Sequence, residues 1–340
     1  MALPSSGAIS FANINTELGV ASTTIRSLND SAVRTLFGVA SGAIGMGNGY
    51  GKANQFAFTI SSNQANANLR SLAVAAGWNQ SSKVVATINS GVYVYSTSTG
   101  TAGLTINGSW PGGIELTNNG YVMGMGGTCV YGGNGGTAES GGPAISLGMS
   151  GAIITNNGYI AGGGGAGAWG GSYGGGGGGG AGGGGGGNDW GGSTAVGGGG
   201  GGPGASGGNG TVASYYGGKV GTIWGCGGGG GGRILPGTGG SGGSGFSTNG
   251  YGRGGGSGGG GATSWGNGLA GGAGGSANGG GGSGSKGSAG GGGGWGAPGG
   301  AGSYPAGGGY SYGGAGGYAI LLNGNSVTRN GAGTTYGTVA

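Results

Sequence analysis

The chain has 340 residues, 117 of them glycine, with 4% charged side chains, no histidine and a formal net charge of +5. Glycine comes in blocks rather than at every third position and prolines number seven, which excludes a collagen-like triple helix, while seven Trp, fifteen Tyr and few charges oppose the composition of a disordered chain. Without histidine there is no Ser-His or Cys-His nucleophile pair and no histidine metal site, and the mild positive charge is not a nucleic-acid signature.

The start, "MALPSSGAISFANINTELG", has neither a basic n-region nor an apolar h-region. No apolar run is long enough to span a membrane. Synthesis in a cytoplasm without general secretory export is the reading. Cys129 and Cys226 are too few and too far apart for a disulfide scaffold, and whether they are bridged stays open.

Residues 1–55 read as an attachment segment. Ser6-Gly7-Ala8-Ile9-Ser10 recurs as Ser41-Gly42-Ala43-Ile44-Gly45. Between the copies, one short helix is predicted after the N-cap Ser10, with Ile14 and Leu18 on one face and Gly19 as its stop. A second begins near Asn29 or Asp30, carries Val33, Leu36 and Phe37, and stops at Gly38. Two such helices are too short to be stable alone. Their five apolar residues are the expected contacts to a fibre partner.

Residues 56–110 read as a small α+β module. "FAFTI" alternates like a strand, and "NANLRSLAVAAG" reads as a helix with Leu69, Leu72, Ala73 and Ala76 on one side. "KVVATINSGVYVYS" reads as two β runs joined in a hairpin at Asn89-Ser90-Gly91. Residues 111–161 carry a repeat: "GGIELTNNGYVMGMGG" matches "SGAIITNNGYIAGGGG". Thr-Asn-Asn-Gly is expected to supply a tight turn with positive φ. Two copies at this spacing imply stacked coils of a short β-helix or β-prism.

Residues 162–317 hold the glycine blocks, and 318–340 read as β again, with Asn323-Gly324 as a turn. A glycine run in the polyproline-II conformation makes no internal hydrogen bonds, so every N–H and C=O is free to bond sideways. Helices without side chains approach closely enough for N–H···O and Cα–H···O contacts. Ordering glycine costs nearly what those bonds return, so the aromatics between blocks are expected to support the bundle. Single alanines inside blocks, such as Ala181, should lie on outer faces. The fold class is therefore mostly β and irregular: a small α+β N-terminal part, short β-helix or β-prism-like coils, then a polyglycine-II bundle or sandwich.

The long turns 203–226, 233–253 and 295–306 are rich in Tyr, Trp, Ser and Asn, the composition of binding loops. Candidate receptor contacts are Tyr215, Tyr216, Lys219, Trp224, Arg233, Phe246, Tyr251, Arg253, Trp295 and Tyr304. Packing against the bundle is the competing role for each aromatic. The five acids are Glu17, Asp30, Glu115, Glu139 and Asp189; Glu115 with Glu139 is the one pair that glycoside hydrolysis could use. G-x-G-x-x-G matches carry no information in so glycine-rich a chain, and "GGNDWGG" and "YGRGGGSGG" are single copies of motifs that work as arrays. No catalytic residue, metal or cofactor is assigned.

Aromatic loops alternating with polyglycine blocks over 162–317 resemble the receptor-binding adhesins at the tips of T-even phage long tail fibres. "MALPSSGAIS", "SGAIGMGNGYGK", the run from "TINSGVYVYS" to "GYVMGMGG" and the ending "GNSVTRNGAGTTYGTV" resemble other phage tail-fibre and tail-tip proteins. The resemblance implies a virion protein, not an enzyme. It implies binding to an outer-membrane protein or lipopolysaccharide through loops on a polyglycine-II scaffold, and attachment to a tail-fibre or tail-tip protein, as a monomer or a homotrimer. The T-even attachment domain has no counterpart in this sequence. A purely structural fibre or baseplate protein and a glycan depolymerase are the alternatives.

Overall fold

The computed structural model describes residues 3–52, 54–78, 80, 82–130, 137–168, 181–182, 232–233, 292–303 and 310–340. These residues are mostly β with few helices. Among them a small helical body and a large β body carry the main cores, and a third, smaller apolar cluster lies outside the β core.

The small body spans residues 3–52. Helix α1 (Phe11–Glu17) starts where Ser10 accepts a bond from the Asn13 amide at 3.2 Å while Asn13 Oδ1 accepts from the Ser10 amide at 2.9 Å. Helix α2 (Ser31–Phe37) ends on Gly38 in the left-handed conformation. The helices pack on each other through Leu3, Ile14, Val33, Leu36 and Phe37, with Leu18 partly buried against them. This corrects the expectation that Ile14, Val33, Leu36 and Phe37 are presented to a partner. Their apolar faces close on one another and on neighbours such as Leu3 and Ile9, leaving each at 6% exposure or less.

The large body is a three-sided solenoid of parallel strands. The first coil is β1 (Gln55–Ile60), β2 (Gln64–Ala65) and β3 (Ala67–Asn68), followed by helix α3 (Leu69–Ala75). The second is β4 (Lys83–Ile88), β5 (Tyr93–Tyr95) and β6 (Leu104–Asn107). In the third, the short pair β9 (Cys129–Val130) and β10 (Thr137–Ala138) interrupts the path from β7 (Ile114–Asn118) and β8 (Tyr121–Met123) to β11 (Ile145–Gly148). The fourth runs through β12 (Ala152–Asn156) and β13 (Tyr159–Ala161) and is completed only at β18 (Ile320–Leu321). Between them lie two small antiparallel pairs, β14 (Ala181–Gly182) with β15 (Gly232–Arg233) and β16 (Gly302–Ser303) with β17 (Tyr310–Ser311). A last coil adds β19 (Val327–Asn330) and β20 (Thr334–Tyr336). The sheets on the three sides run β1-β4-β7-β12-β19, β2-β5-β8-β13-β20 and β3-β6-β11-β18. Val339 extends the third side by a parallel bridge to Ile320.

This arrangement corrects two sequence expectations. Asn89-Ser90-Gly91 is a corner, not a hairpin: β4 and β5 lie in different sheets, each bonded in parallel to the coil above. Nor does the boundary at 110/111 exist, because β4 pairs directly with β7. Period-2 alternation fixes which side chains face inward but not whether the partner strand is sequential. Inward columns such as Val84–Ile114–Ala152 and Ala86–Leu116–Ile154 fill the interior.

The Thr-Asn-Asn-Gly repeat marks one corner in successive coils, for a different reason than a turn with positive φ. None of Asn118, Asn119, Gly120, Asn156, Asn157 and Gly158 has positive φ. Asn118 and Asn156 instead point inward and form a ladder. Asn118 Nδ2 donates to Asn156 Oδ1 at 2.8 Å and to the Tyr159 carbonyl at 3.1 Å, and the Gly120 amide returns a bond to Asn118 Oδ1 at 3.1 Å. Asn156 Nδ2 continues to the Thr334 carbonyl at 3.1 Å. Glycine follows because the chain passes close beneath its neighbour: a Cβ on Gly158 would fall on the Gly120 carbonyl oxygen. Asn323-Gly324, by contrast, is the expected turn, with φ of 51° and 78°.

Asn118 has no solvent to fall back on, at 0% exposure. Asn118→Ala should lower unfolding free energy by about 2–3 kcal/mol, since it strands buried backbone groups. Asn119→Ala, which loses one exposed bond to Asn157, should cost about 0.5 kcal/mol or less. Equilibrium denaturation of both variants checks the contrast.

Candidate functional site

The glycine-rich segments grow from a single corner of the solenoid, the one between its second and third sides. In the second coil this corner is the short loop 96–103. In the third it is residues 124–144, and in the fourth residues 162–319. The described parts of these insertions form a lattice of six backbone segments held by hydrogen bonds between them.

Segment 162–168 is the centre of that lattice, buried at every residue. Its bonds to neighbours repeat every three residues. Gly163 and Ala166 donate to Gly142 and Glu139 carbonyls at 2.9 Å each, while Gly317 and Gly314 donate to Gly163 and Ala166 at 2.7 and 2.8 Å. Gly165 and Ala168 donate to Ala297 and Gly300, and Gly293 and Gly296 donate back to Gly165 and Gly162. Segment 124–127 joins through Gly124 to Ala161 and Gly127 to Gly164. The segments lie too close for side chains: a Cβ on Gly163 would land on the Met125 carbonyl oxygen, and one on Gly165 on that of Gly314. Ala315, on a peripheral segment, is exposed as expected of alanine in such blocks. Ala166 and Ala168 are instead fully buried, at 0% and 1%.

The registers give the lattice a polarity. Segments 124–127, 162–168 and 297–300 run away from the solenoid, and 139–142, 292–296 and 313–317 run back toward it. The three connections between outgoing and returning segments are therefore 128–138, 169–291 and 301–312. The described residues that flank them, from Thr128 to Glu139, Ala168 to residue 292 and Ala301 to Tyr312, all belong to the end remote from the coils. The turn 294–297 belongs to the opposite end, against the solenoid.

Glu139 fastens the remote end. Its carboxylate accepts from the Thr128 amide at 3.0 Å, from Thr128 Oγ1 at 2.8 Å and from Thr99 Oγ1. Its own amide and carbonyl bond Thr128 and Ala166. Burial alone would raise the pKa of this carboxyl, but the three hydrogen bonds outweigh it and hold it below the usual glutamate value. Glu115, the other acid considered for hydrolysis, is paired with Lys83 at 2.6 Å on the outer face of the first side. Both acids thus have committed structural partners, and the hydrogen bonds to Glu139 favour its charged form rather than the protonated form of a general acid.

Of the ten candidate receptor residues, two fall among those described. Arg233 lies in β15, paired in register with Ala181. Trp295 is 3% exposed, packed on Met123 and Ala161 at the solenoid end of the lattice. It is a packing residue, which corrects its placement among exposed loops: the turn that carries it points toward the coils, not away. Tyr215, Tyr216, Lys219, Trp224, Phe246, Tyr251, Arg253 and Tyr304 lie outside the described residues, as do Cys226, Asp189 and the side chain of Ala181. Tyr312, which loop length alone did not single out, is 84% exposed beside the remote end. Its signal was the Tyr-Ser-Tyr between two glycine runs. Among the described residues no cluster of three or more metal-ligating side chains occurs.

The depressed Glu139 pKa adds stability at neutral pH that is lost as pH falls below about 4.5 and through the folded-state value. Glu139→Gln should therefore melt lower than the parent at pH 7, and the gap should narrow toward pH 3. Thermal melts across that range test the sign.

Residues 55–221 match the family model of the phage tail fibre adhesin Gp38. No curated protein matches the chain. Among solved structures, the chain is similar to the crystal structure of the gp37-gp38 adhesin tip complex of the bacteriophage S16 long tail fibre, at 18% identity and a TM-score of 0.45, over 98% of this chain and 99% of that one. The segment that matches the family model spans the solenoid coils from β1 through β13 and enters the glycine insertion.

Proposed function

We propose that this protein is the receptor-binding tip of a phage tail fibre. It holds a bacterial outer-membrane protein or lipopolysaccharide at the end of the glycine lattice remote from the solenoid. The observation that carries this reading is the polarity of the lattice: the ends of all three connections open on one side, and the solenoid closes the other. Loops gathered at one end of a rigid support are the usual arrangement of a recognition surface. The Tyr- and Trp-rich stretches 203–226 and 233–253 lie in the largest of these connections.

The lattice segments are read as polyglycine-II helices. The three-residue repeat of their hydrogen bonds and the contact of each with several neighbours favour that geometry, which has three residues per turn. Such a support pre-organises what it carries and lowers the ordering cost of binding. Many fibres per particle multiply weak contacts.

The N-terminal body is read as the attachment unit, in line with the similar structure being a complex of gp37 with gp38. Its candidate contact surface is not the buried helix stripe but the loop between the helices. There Ile25 is 98% exposed, and the buried Asn15 braces the loop by donating to the Ser22 and Thr24 carbonyls at 3.1 and 2.7 Å.

Adsorption tests the reading. Purified protein should bind strains that the phage infects, and replacing 203–226 and 233–253 by Gly-Ser should abolish that binding. Tyr312→Ala should weaken it by about fivefold or more, the effect of losing one aromatic contact. A folded, virion-incorporated protein that binds no permissive cell would instead favour a purely structural fibre component.

A further inference from the structure

The second side of the solenoid carries an aromatic ladder on its outer face. Tyr93, Tyr121 and Tyr159 stand in register on successive coils. Their rings stack at 4.7 Å and 5.2 Å, with interplanar angles of 21° and 7°. The ladder stops there, because the next register position on the last coil is Thr334. A parallel column runs beside it: Tyr95, Met123, Ala161 and Tyr336.

Trp295 fills the place where the ladder stops. Its ring meets Tyr159 edge-on at 6.4 Å and Tyr336 at 5.3 Å. It covers Met123 and Ala161, which fall to 2% and 1% exposure although they point outward from the sheet. The next residue seats the turn tightly: a Cβ on Gly296 would collide with the backbone of Gly337. One side chain therefore joins three parts of the chain that are remote in sequence. Tyr159 belongs to the coil before the long insertion, Tyr336 to the coil after it, and Trp295 to the lattice between.

The connectivity makes this contact consequential. The strands β18, β19 and β20 pair in parallel with coils that precede residues 162–319. They can dock only when the insertion has brought the chain back. The lattice in turn borrows two of its six segments, 124–127 and 139–142, from the third coil. Neither the last coil nor the lattice is complete without the other.

We propose that Trp295 couples the lattice to the last coil, so that the two order and open as one cooperative unit distinct from the earlier coils. Parallel strands of a solenoid otherwise add one coil at a time, each stabilised by its neighbour. Here the terminal coil is tied to the insertion by an aromatic contact on the outer face.

Hydrogen exchange on the full-length chain tests this. In Trp295→Ala, amides of 162–168, 293–300 and 320–336 should exchange at least about tenfold faster, together and to the same extent. Amides of 83–95 and 114–122 should stay unchanged. Trp295→Phe should recover much of the protection, and Tyr336→Ser, which removes the ring on the other side of the contact, should reproduce the joint loss. Faster exchange in the lattice with an unchanged last coil would overturn the proposal. So would equal acceleration in every coil, or no change in either variant.

Discussion

The constraint on which this structure depends is the distance between neighbouring backbones. In the lattice, the carbonyl of one segment sits where another residue's Cβ would have to be, at Gly141 against Gly163 and at Gly299 against Ala166. Only glycine permits that approach, and only that approach lets amides and carbonyls of non-sheet backbone satisfy each other in the interior. The glycine content of the described segments follows from this geometry. It also sets the weakness of the lattice, because glycine loses the most conformational freedom on ordering and contributes no apolar area in return.

The solenoid offsets that weakness. Its interior holds the apolar side chains the lattice lacks, from Leu69 and Val84 to Ile160 and Ile320. Three of its second-to-third-side corners feed the lattice or brace it: Thr99 in the first of them bonds Glu139 in the next, and Ala166 in the last bonds Glu139 in turn. The segments therefore start from anchored ends whose spacing is set by strand pairing, which reduces the loss of freedom that ordering requires. The Asn118–Asn156 ladder and the tyrosine ladder hold the coils in register on either side of the corner that begins the second side.

Much of this was legible in the sequence where a local signal existed. Ser10 and Gly38 marked helix ends because capping is a property of adjacent residues. The matching runs at 112–127 and 150–165 announced stacked coils because each coil repeats the same burial pattern. What was not legible was set by distant partners. Asn89-Ser90-Gly91 has the composition of a hairpin turn, and only the parallel neighbours above and below make it a corner. Asn118 has the composition of a turn residue, and only the inward register makes it a ladder. Trp295 has the composition of a binding loop, yet the direction of its segment turns it toward the coils. Glu139 read as half of a carboxylate pair until the threonines at 99 and 128 accounted for its oxygens.

The same reliance on backbone contacts bears on how such a tip changes. In a side-chain core, altering one residue disturbs its neighbours through volume. In the lattice, cohesion between the described segments comes from amide and carbonyl groups that every residue carries. A methyl group at Gly163, Gly165 or Gly314 would meet a carbonyl oxygen. The lattice is thus intolerant of side chains at these positions. That intolerance places a mutational burden on the glycines of the support, apart from the connections proposed to carry recognition.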